Sequence, residues 1–260
     1  MIKNTLKIMA IGDVVGSAGR SILANKLSIL KERLRADIVI VNGENAAGGR
    51  AITPEAVNDI FRAGADVITT GNHVWDNNDI LKIIDVEPHL LRPANFPAGV
   101  RGKGFYMLNY KGAKICIINL MGRVNMFPMD CPFRKFDEIY EMNKNEADAF
   151  IVDFHAEATS EKRAFGWYAS ERATVVYGTH THVQTADEEI LNGKTAYITD
   201  IGMTGSFDSV IGMNKNYSIE KFLKQVKVKL DSATENLKIN GALFVIGSGG
   251  IPQEIIRISE

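Results

Sequence analysis

The sequence predicts an α/β fold: a sandwich of two mixed β-sheets flanked by helices. Three observations carry the expectation. Residues 7–70 alternate short apolar runs of strand length with longer runs whose apolar positions recur at helical spacing. Residues 104–199 add mostly further strand-like runs. No Pro-, Gly- or Ser-rich stretch separates two units, so residues 1–260 read as a single domain.

Lys7 to Ile11 reads as a buried strand ended by Gly12 and Asp13. Ser17 is placed to cap a helix in which Leu23, Leu27, Leu30 and Leu34 share one face. Asp37 to Val41 is a second buried strand, followed by Asn42-Gly43-Glu44-Asn45. Thr53 caps the next helix. Pro54 takes its first position, where a missing N–H costs nothing, and Gly64 closes it. Ala65 to Thr70 is a third strand, ended by Gly71-Asn72-His73. This βαβαβ order implies parallel pairing with right-handed crossovers, and ligands of such sheets bind beyond the carboxyl ends of the strands. Gly104 to Tyr110 and Lys114 to Leu120 flank Lys111-Gly112-Ala113 as a hairpin. Ala149 to Phe154 runs into His155, and Thr174 to Tyr177 runs into Gly178-Thr179-His180-Thr181-His182. Thr195 to Thr199 is a further strand, Ser218 to Val228 a helix, and Leu237 to Ile258 two strands around a turn at Gly247 to Gly250.

Lysine and arginine total 30 against 31 acidic residues, a net charge of -1. That excludes a protein that grips DNA or a membrane surface by bulk positive charge, and leaves room for a small nucleotide. An apolar content of 45% fits a packed chain rather than a disordered one. Two cysteines, Cys116 and Cys131, are too few for a secreted disulfide framework. The N-terminus is read as lacking a signal peptide, and no apolar run has the length of a membrane span. The expected location is therefore cytoplasmic.

Five segments follow predicted strands and hold metal-capable residues: GDVVG (12–16), NGEN (42–45), GNHVWD (71–76), DFHAE (153–157) and GTHTH (178–182). Carboxylates are hard oxygen donors, and neutral imidazole is the common nitrogen donor for iron, manganese and zinc. Taken singly, Gly-Asp and Asn-Gly-Glu-Asn are ordinary turns. Their conjunction is the signal, because four of the five histidines fall in these segments. The absence of cysteine from them argues against a structural zinc site. Carboxylates, amide oxygens and histidines in this mixture suit two neighbouring first-row divalent ions. His89 lies outside the set and is read as a non-ligand.

The order GD…GEN…GNH…H…GTHTH resembles the calcineurin-like metallophosphoesterases. The segments VNGENAAGG, GNHVWD, LRPANFPAG, DCPFR, DFHAEATSEK, GTHTHVQTAD and YITDIGMTG resemble more closely the YmdB family of 2',3'-cyclic-nucleotide phosphodiesterases. The similarity runs from residue 7 to beyond residue 213.

The resemblance implies a metallophosphoesterase-type sandwich and a site. In it, Asp13, Glu44, Asn45 and His182 hold one metal. Glu44, Asn72, His155 and His180 hold the other, with Glu44 bridging. Val15 stands where the wider superfamily carries a histidine, and Glu44 where it carries an aspartate. Both departures are shared with the YmdB family, in which Asn45 helps to fill the gap. His73 stays off the metals and acts on the substrate as general acid. Asp76 is either the residue that orients His73 or a helix first-turn carboxylate. The implied cofactors are two first-row metal ions per chain, iron or manganese, with zinc able to substitute. The implied reaction is hydrolysis of a phosphodiester, a nucleoside 2',3'-cyclic phosphate, by in-line attack of a metal-bridging hydroxide. The partner is a small nucleotide or phosphodiester. DNA and membranes are not expected as partners, and a homo-oligomer is left open. Two rival functions also stay open: a phosphomonoesterase or nucleotidase on the same fold, and a regulatory protein that binds a nucleotide or RNA.

Overall fold

The computed structural model describes residues 2–225 and 231–260. Its first part runs β1 (Leu6–Ile11), β2 (Asp13–Val14), α1 (Gly16–Leu34), β3 (Ile38–Asn42), α2 (Pro54–Ala63) and β4 (Val67–Thr69). Then come β5 (Phe105–Tyr110), β6 (Ala113–Met121), α3 (Pro132–Asn143), β7 (Ala149–His155), α4 (Thr159–Ala169) and β8 (Val175–Thr179). The chain continues through β9 (Glu189–Leu191), β10 (Thr195–Ile198), β11 (Met203–Ser206), α5 (Lys215–Lys224), β12 (Leu237–Ile246) and β13 (Pro252–Ser259).

Among the described residues these strands form two mixed sheets. The first has the order β2-β11-β12-β1-β3-β4, with β13 also paired to β12. Its β1, β3 and β4 are parallel. The second has the order β5-β6-β7-β8-β10-β9, with β6, β7, β8 and β10 parallel. The predicted hairpin forms, pairing Tyr110 with Ala113 across Lys111 and Gly112. All five residues of β3 and all seven of β7 are buried. This is why these strands read as continuous apolar runs rather than as alternating ones.

The two-residue period of the strands splits their side chains between layers. Ile8, Ala10, Ile38 and Ile40 meet Ile115, Ile117, Ile151 and Tyr177 between the sheets. Met9, Ile11, Val39 and Val41 face the other way and pack with Leu23 and Leu27 of α1 and Val57 and Ile60 of α2. On the far side, Cys116, Ile118, Phe150 and Val152 pack with Phe136 of α3 and Phe165 of α4. Helices therefore cover both outer faces of a sandwich, as predicted.

Local chemistry fixes some boundaries. Ala56 N–H donates to Thr53 Oγ1 at 3.3 Å, and Gly64 ends α2 at φ 114°, where only glycine is unstrained. The predicted Ser17 cap is corrected. Helix α1 starts at Gly16 behind Val15, which makes no side-chain cap. Val15 N–H is instead held by Thr204 O at 2.8 Å, and Gly16 N–H by Asn45 O at 2.9 Å. Contacts with distant segments, not a local cap, launch this helix. The helix predicted from Ser218 starts earlier, because Asn214 Oδ1 caps the N–H groups of Asn216 and Tyr217. Positions 226–228 of that expectation lie outside the described residues. Periodicity does not announce α3, α4, β9 or β11. The sequence of β11, MTGS, is short and polar, and its strand exists because β12 and β2 pair with it. No helix among the described residues is long and apolar enough to cross a membrane.

Candidate metal centre

The predicted ligands gather at the carboxyl ends of the strands. Asp13 opens β2 directly after β1, Glu44 and Asn45 follow β3, and Asn72 and His73 follow β4. His155 is the last residue of β7, and His180 and His182 follow β8. Asp13, Glu44, Asn45 and His155 are buried, at 0 to 4% exposure.

Two histidines are fixed in one tautomer each by their outer partners, and a third has a carboxylate beside it. Thr179 Oγ1 donates to Asp153 Oδ1 at 2.7 Å, so its oxygen accepts the Nδ1–H of His155 at 2.9 Å. Nε2 of His155 is left with a bare lone pair. Glu157 Oε2 lies 3.1 Å from His180 Nε2, on the side of the ring opposite the Nδ1 that meets His155. His182 donates Nδ1–H to Ile211 O at 2.9 Å, which bares Nε2. Orientation of this kind is the usual outer support of a metal-binding imidazole. Both loop histidines sit at positive φ, 97° for His180 and 64° for His182. Such backbone is costly outside glycine and persists where the surroundings enforce it.

The ligating atoms converge. His155 Nε2 lies 3.1 Å from Glu44 Oε1, 3.0 Å from Asn72 Oδ1 and 3.0 Å from His180 Nδ1. Glu44, His155 and His180 can all reach one ion. The second group is looser: His182 Nε2 stands 3.8 Å from Asp13 Oδ1. Two buried oxygens here, Asp13 Oδ1 and Asn45 Oδ1, have no hydrogen-bond partner among the described residues. Asn45 donates its amide to Gly49 O at 3.3 Å, which aims Oδ1 away from that carbonyl. Gly71 supplies the necessary space. A Cβ there would lie 2.2 Å from His155 Nε2 and 2.3 Å from Glu44 Oε2. Converging metal-ligating atoms, orphaned oxygens and a cradle that a methyl group would fill all fit divalent cations.

Burial dominates the titration of this centre. It raises the carboxyls of Asp13 and Glu44 above their ordinary values, although neighbouring histidines pull them back. It lowers His155 to about 4 and, with the neighbouring His155 ring adding to it, His180 to about 3. Both imidazoles are therefore neutral at physiological pH, the form that binds metal.

His73 sits apart from this cluster. Its backbone N–H donates to Glu44 Oε2 at 3.2 Å, and its ring Nδ1 meets Asp76 Oδ2 at 2.9 Å. Asp76 is in turn held by Arg50 Nε at 3.2 Å. Of the two alternatives for Asp76, the structure has it orient His73. A cleft of about 840 Å³ lies over the centre, lined by Glu44, Asn45, Arg50, His73, His180 and His182 among others. His89 is elsewhere, edge-on to Tyr106 with centroids 4.5 Å apart.

Residues 9–258 match the YmdB-like protein family. The chain belongs to that family. A Bacillus subtilis (strain 168) relative named 2',3'-cyclic-nucleotide 2'-phosphodiesterase is 44% identical over 93% of this chain and 91% of its own length. The crystal structure of a Mycoplasma pneumoniae protein titled a novel phosphatase superposes with a TM-score of 0.93. It is 35% identical, and the match covers all of this chain and 94% of that one. The Haemophilus influenzae NAD nucleotidase shares the fold alone, at a TM-score of 0.62 and 16% identity, over 98% of this chain and 50% of that one.

Within this YmdB-like site, sequence reasoning passed over several residues. Asp153 accepts from Thr179, Thr69 and Asn42 and is the base of the His155 support. Its carboxyl is pushed up to about 7 by burial. Glu157 is the partner of His180. A buried ion pair, Lys162 Nζ to Asp200 Oδ2 at 2.6 Å, holds the histidine loop, because Asp200 Oδ2 also accepts from Thr181 N–H and Oγ1–H. Asp153, Thr179 and Glu157 lay inside segments already singled out. The signal that could have found them is the requirement that each ligand imidazole have an outer partner.

Proposed function

We propose that this chain hydrolyses phosphodiesters, specifically nucleoside 2',3'-cyclic phosphates, at a dinuclear first-row metal centre. One observation carries the reading. Glu44 Oε1, Asn72 Oδ1, His155 Nε2 and His180 Nδ1 converge with His155 Nε2 about 3 Å from each of the others, four atoms of metal-ligating type in one place. Asp13, Glu44, Asn45 and His182 hold one ion in this reading. Glu44, Asn72, His155 and His180 hold the other, with Glu44 shared. Iron or manganese is the proposed metal, and zinc a substitute. The name of the Bacillus relative supports the choice of substrate. The span of the family match supports reading residues 1–260 as one domain, and two free cysteines agree with a cytoplasmic location.

When bound, the two cations supply positive charge for the phosphoryl oxygens and acidify a water at neutral pH. The chain does the rest. Asp13 and Glu44 leave the centre net positive, so it attracts a singly charged diester. The His155, His180 and His182 partners hold the donors in place before the substrate arrives. His73 donates Nδ1–H to Asp76, which leaves Nε2 for the substrate in the cleft. In its protonated form it passes the Nε2 proton to the departing alkoxide, a poor leaving group without one.

Full-length, metal-loaded protein tests this directly. The nucleoside 2',3'-cyclic phosphate is opened, and the nucleoside monophosphate is a much poorer substrate. Glu44→Gln loses metal and turnover together, whereas His89→Ala keeps both. Preference for the monoester, or full metal content and turnover in Glu44→Gln, overturns the reading.

A further inference from the structure

Beside the main cleft lies a second recess of about 290 Å³, lined by Asn72, Asn125, Met126, Phe127 and His180. His180 lines both spaces, so the recess opens onto the proposed metal ligands. Its outer wall is the loop between β6 and α3. Phe127 and Val124 on that loop are 59% and 47% exposed, although the sandwich has ample core to bury them.

The loop is anchored rather than loose. At its base, the fully buried Asn95 donates to Met121 O at 2.7 Å and to Asp130 O at 2.9 Å, and accepts from Met121 N–H at 2.8 Å. One residue clamps both ends. Glu161, 7% exposed, accepts the N–H groups of Arg123 and Val124 at 3.0 Å. Asn125 turns the chain at φ 59°. A fixed loop that keeps an aromatic ring in water next to a reaction centre is a pre-organised surface for a ligand.

The two spaces differ in chemistry. The main cleft carries Arg50 and Lys221. Among the described residues the recess has no lysine or arginine in its lining; beyond the two proposed ligands Asn72 and His180 it offers an aromatic ring, a thioether and the Asn125 amide. Away from those ligands the lining suits a flat, neutral heterocycle with hydrogen-bonding edges. We propose that the recess is the nucleobase subsite and that Phe127 is the ring on which the base stacks. The assignment rests on the phosphodiesterase reading above. It adds where selectivity for nucleotides over simple diesters arises.

The test compares two substrates on metal-loaded protein. One is a nucleoside 2',3'-cyclic phosphate. The other is 1-O-methylribose 2',3'-cyclic phosphate, which keeps the ribose and the diester and lacks the base. Base–aromatic stacking predicts that Phe127→Ala loses roughly tenfold to a hundredfold in kcat/KM on the nucleotide, mainly through KM. The base-free substrate is unaffected, and Phe127→Trp retains the selectivity. Equal losses on both substrates, no loss on either, or a selective loss in Met213→Ala of the main cleft instead, overturns the assignment. If the unmutated chain hydrolyses neither diester, the phosphodiesterase reading itself is overturned, and the subsite falls with it.

Discussion

Nε2 of His155 and Nδ1 of His180 face each other at 3.0 Å, and because His155 has committed its ring hydrogen to Thr179, its Nε2 presents a lone pair there. Glu44 Oε1 and Asn72 Oδ1 stand 3.1 and 3.0 Å from the same nitrogen, so electron-rich atoms crowd it. A cation bound among them would turn that crowding into a source of stability.

Metal removal should reveal this as a large thermal shift. A ligand at about a hundred times its Kd stabilises by about 2.7 kcal/mol, and in a chain of this size each kcal/mol is worth about 2–4 °C. Chelated protein should thus melt roughly 5–10 °C below the loaded form, and elemental analysis of the loaded form should find about two ions per chain. A single tightly held ion in active protein contradicts the two-site assignment.

Gly71→Ala should abolish metal binding while leaving the sandwich folded. The added methyl would sit 2.2 Å from His155 Nε2, on the side where the proposed ligand bond lies. Metal content measured beside far-UV circular dichroism separates the two effects. Unchanged metal content shows that the neighbouring chain yields instead.

Thr179→Val keeps the shape of the side chain and removes the acceptor of the His155 Nδ1–H. It also takes one donor from Asp153. Loss of such an outer partner typically weakens metal affinity by about 10- to 100-fold. Competition titration with a chromophoric chelator reads it, and an unaltered affinity shows that the tautomer of His155 is fixed by something else.

The gathering of the proposed ligands was legible in the sequence and their supports were not. Asp13, Glu44, Asn72, His155 and His180 each follow or end an apolar strand run, so the rule that ligands gather at the carboxyl ends of parallel strands places them together. Thr53 and Gly64 were legible because a cap is local chemistry. Lys162 and Asp200 pair across 38 residues, and Asn42 and Asp153 across 111. No periodicity encodes such contacts. Strand β2 and the start of α1 failed for the same reason, since a strand of two residues exists through its pairing with β11.

Cys116 should be inert to alkylation in the native protein. It is buried between β6 and α3, and burial pushes its thiol up to about 12. Only the thiolate reacts. Mass spectrometry after brief treatment with iodoacetamide near pH 8 should find one label, on the half-buried Cys131, and a second only after denaturation. Early labelling of Cys116 would show that the second sheet opens locally.

His73→Ala probes the chemical step. The ring is oriented by Asp76 and lines the cleft, but it takes no part in the convergent lone-pair cluster, so both ions and the affinity for a product analogue should survive the change. Turnover of a cyclic nucleotide should fall by about 100- to 10,000-fold, the usual worth of a positioned general acid. Asp76→Asn keeps the ring in place but weakens the charge behind it, and should give a smaller loss. The decisive comparison is the leaving group. An alkoxide needs a proton as it departs, whereas a nitrophenolate leaves without one, so the penalty in His73→Ala should shrink for a nitrophenyl diester. Equal losses on both substrates would show that His73 binds the phosphoryl group instead of protonating the leaving oxygen. Loss of metal in the variant would make it a ligand.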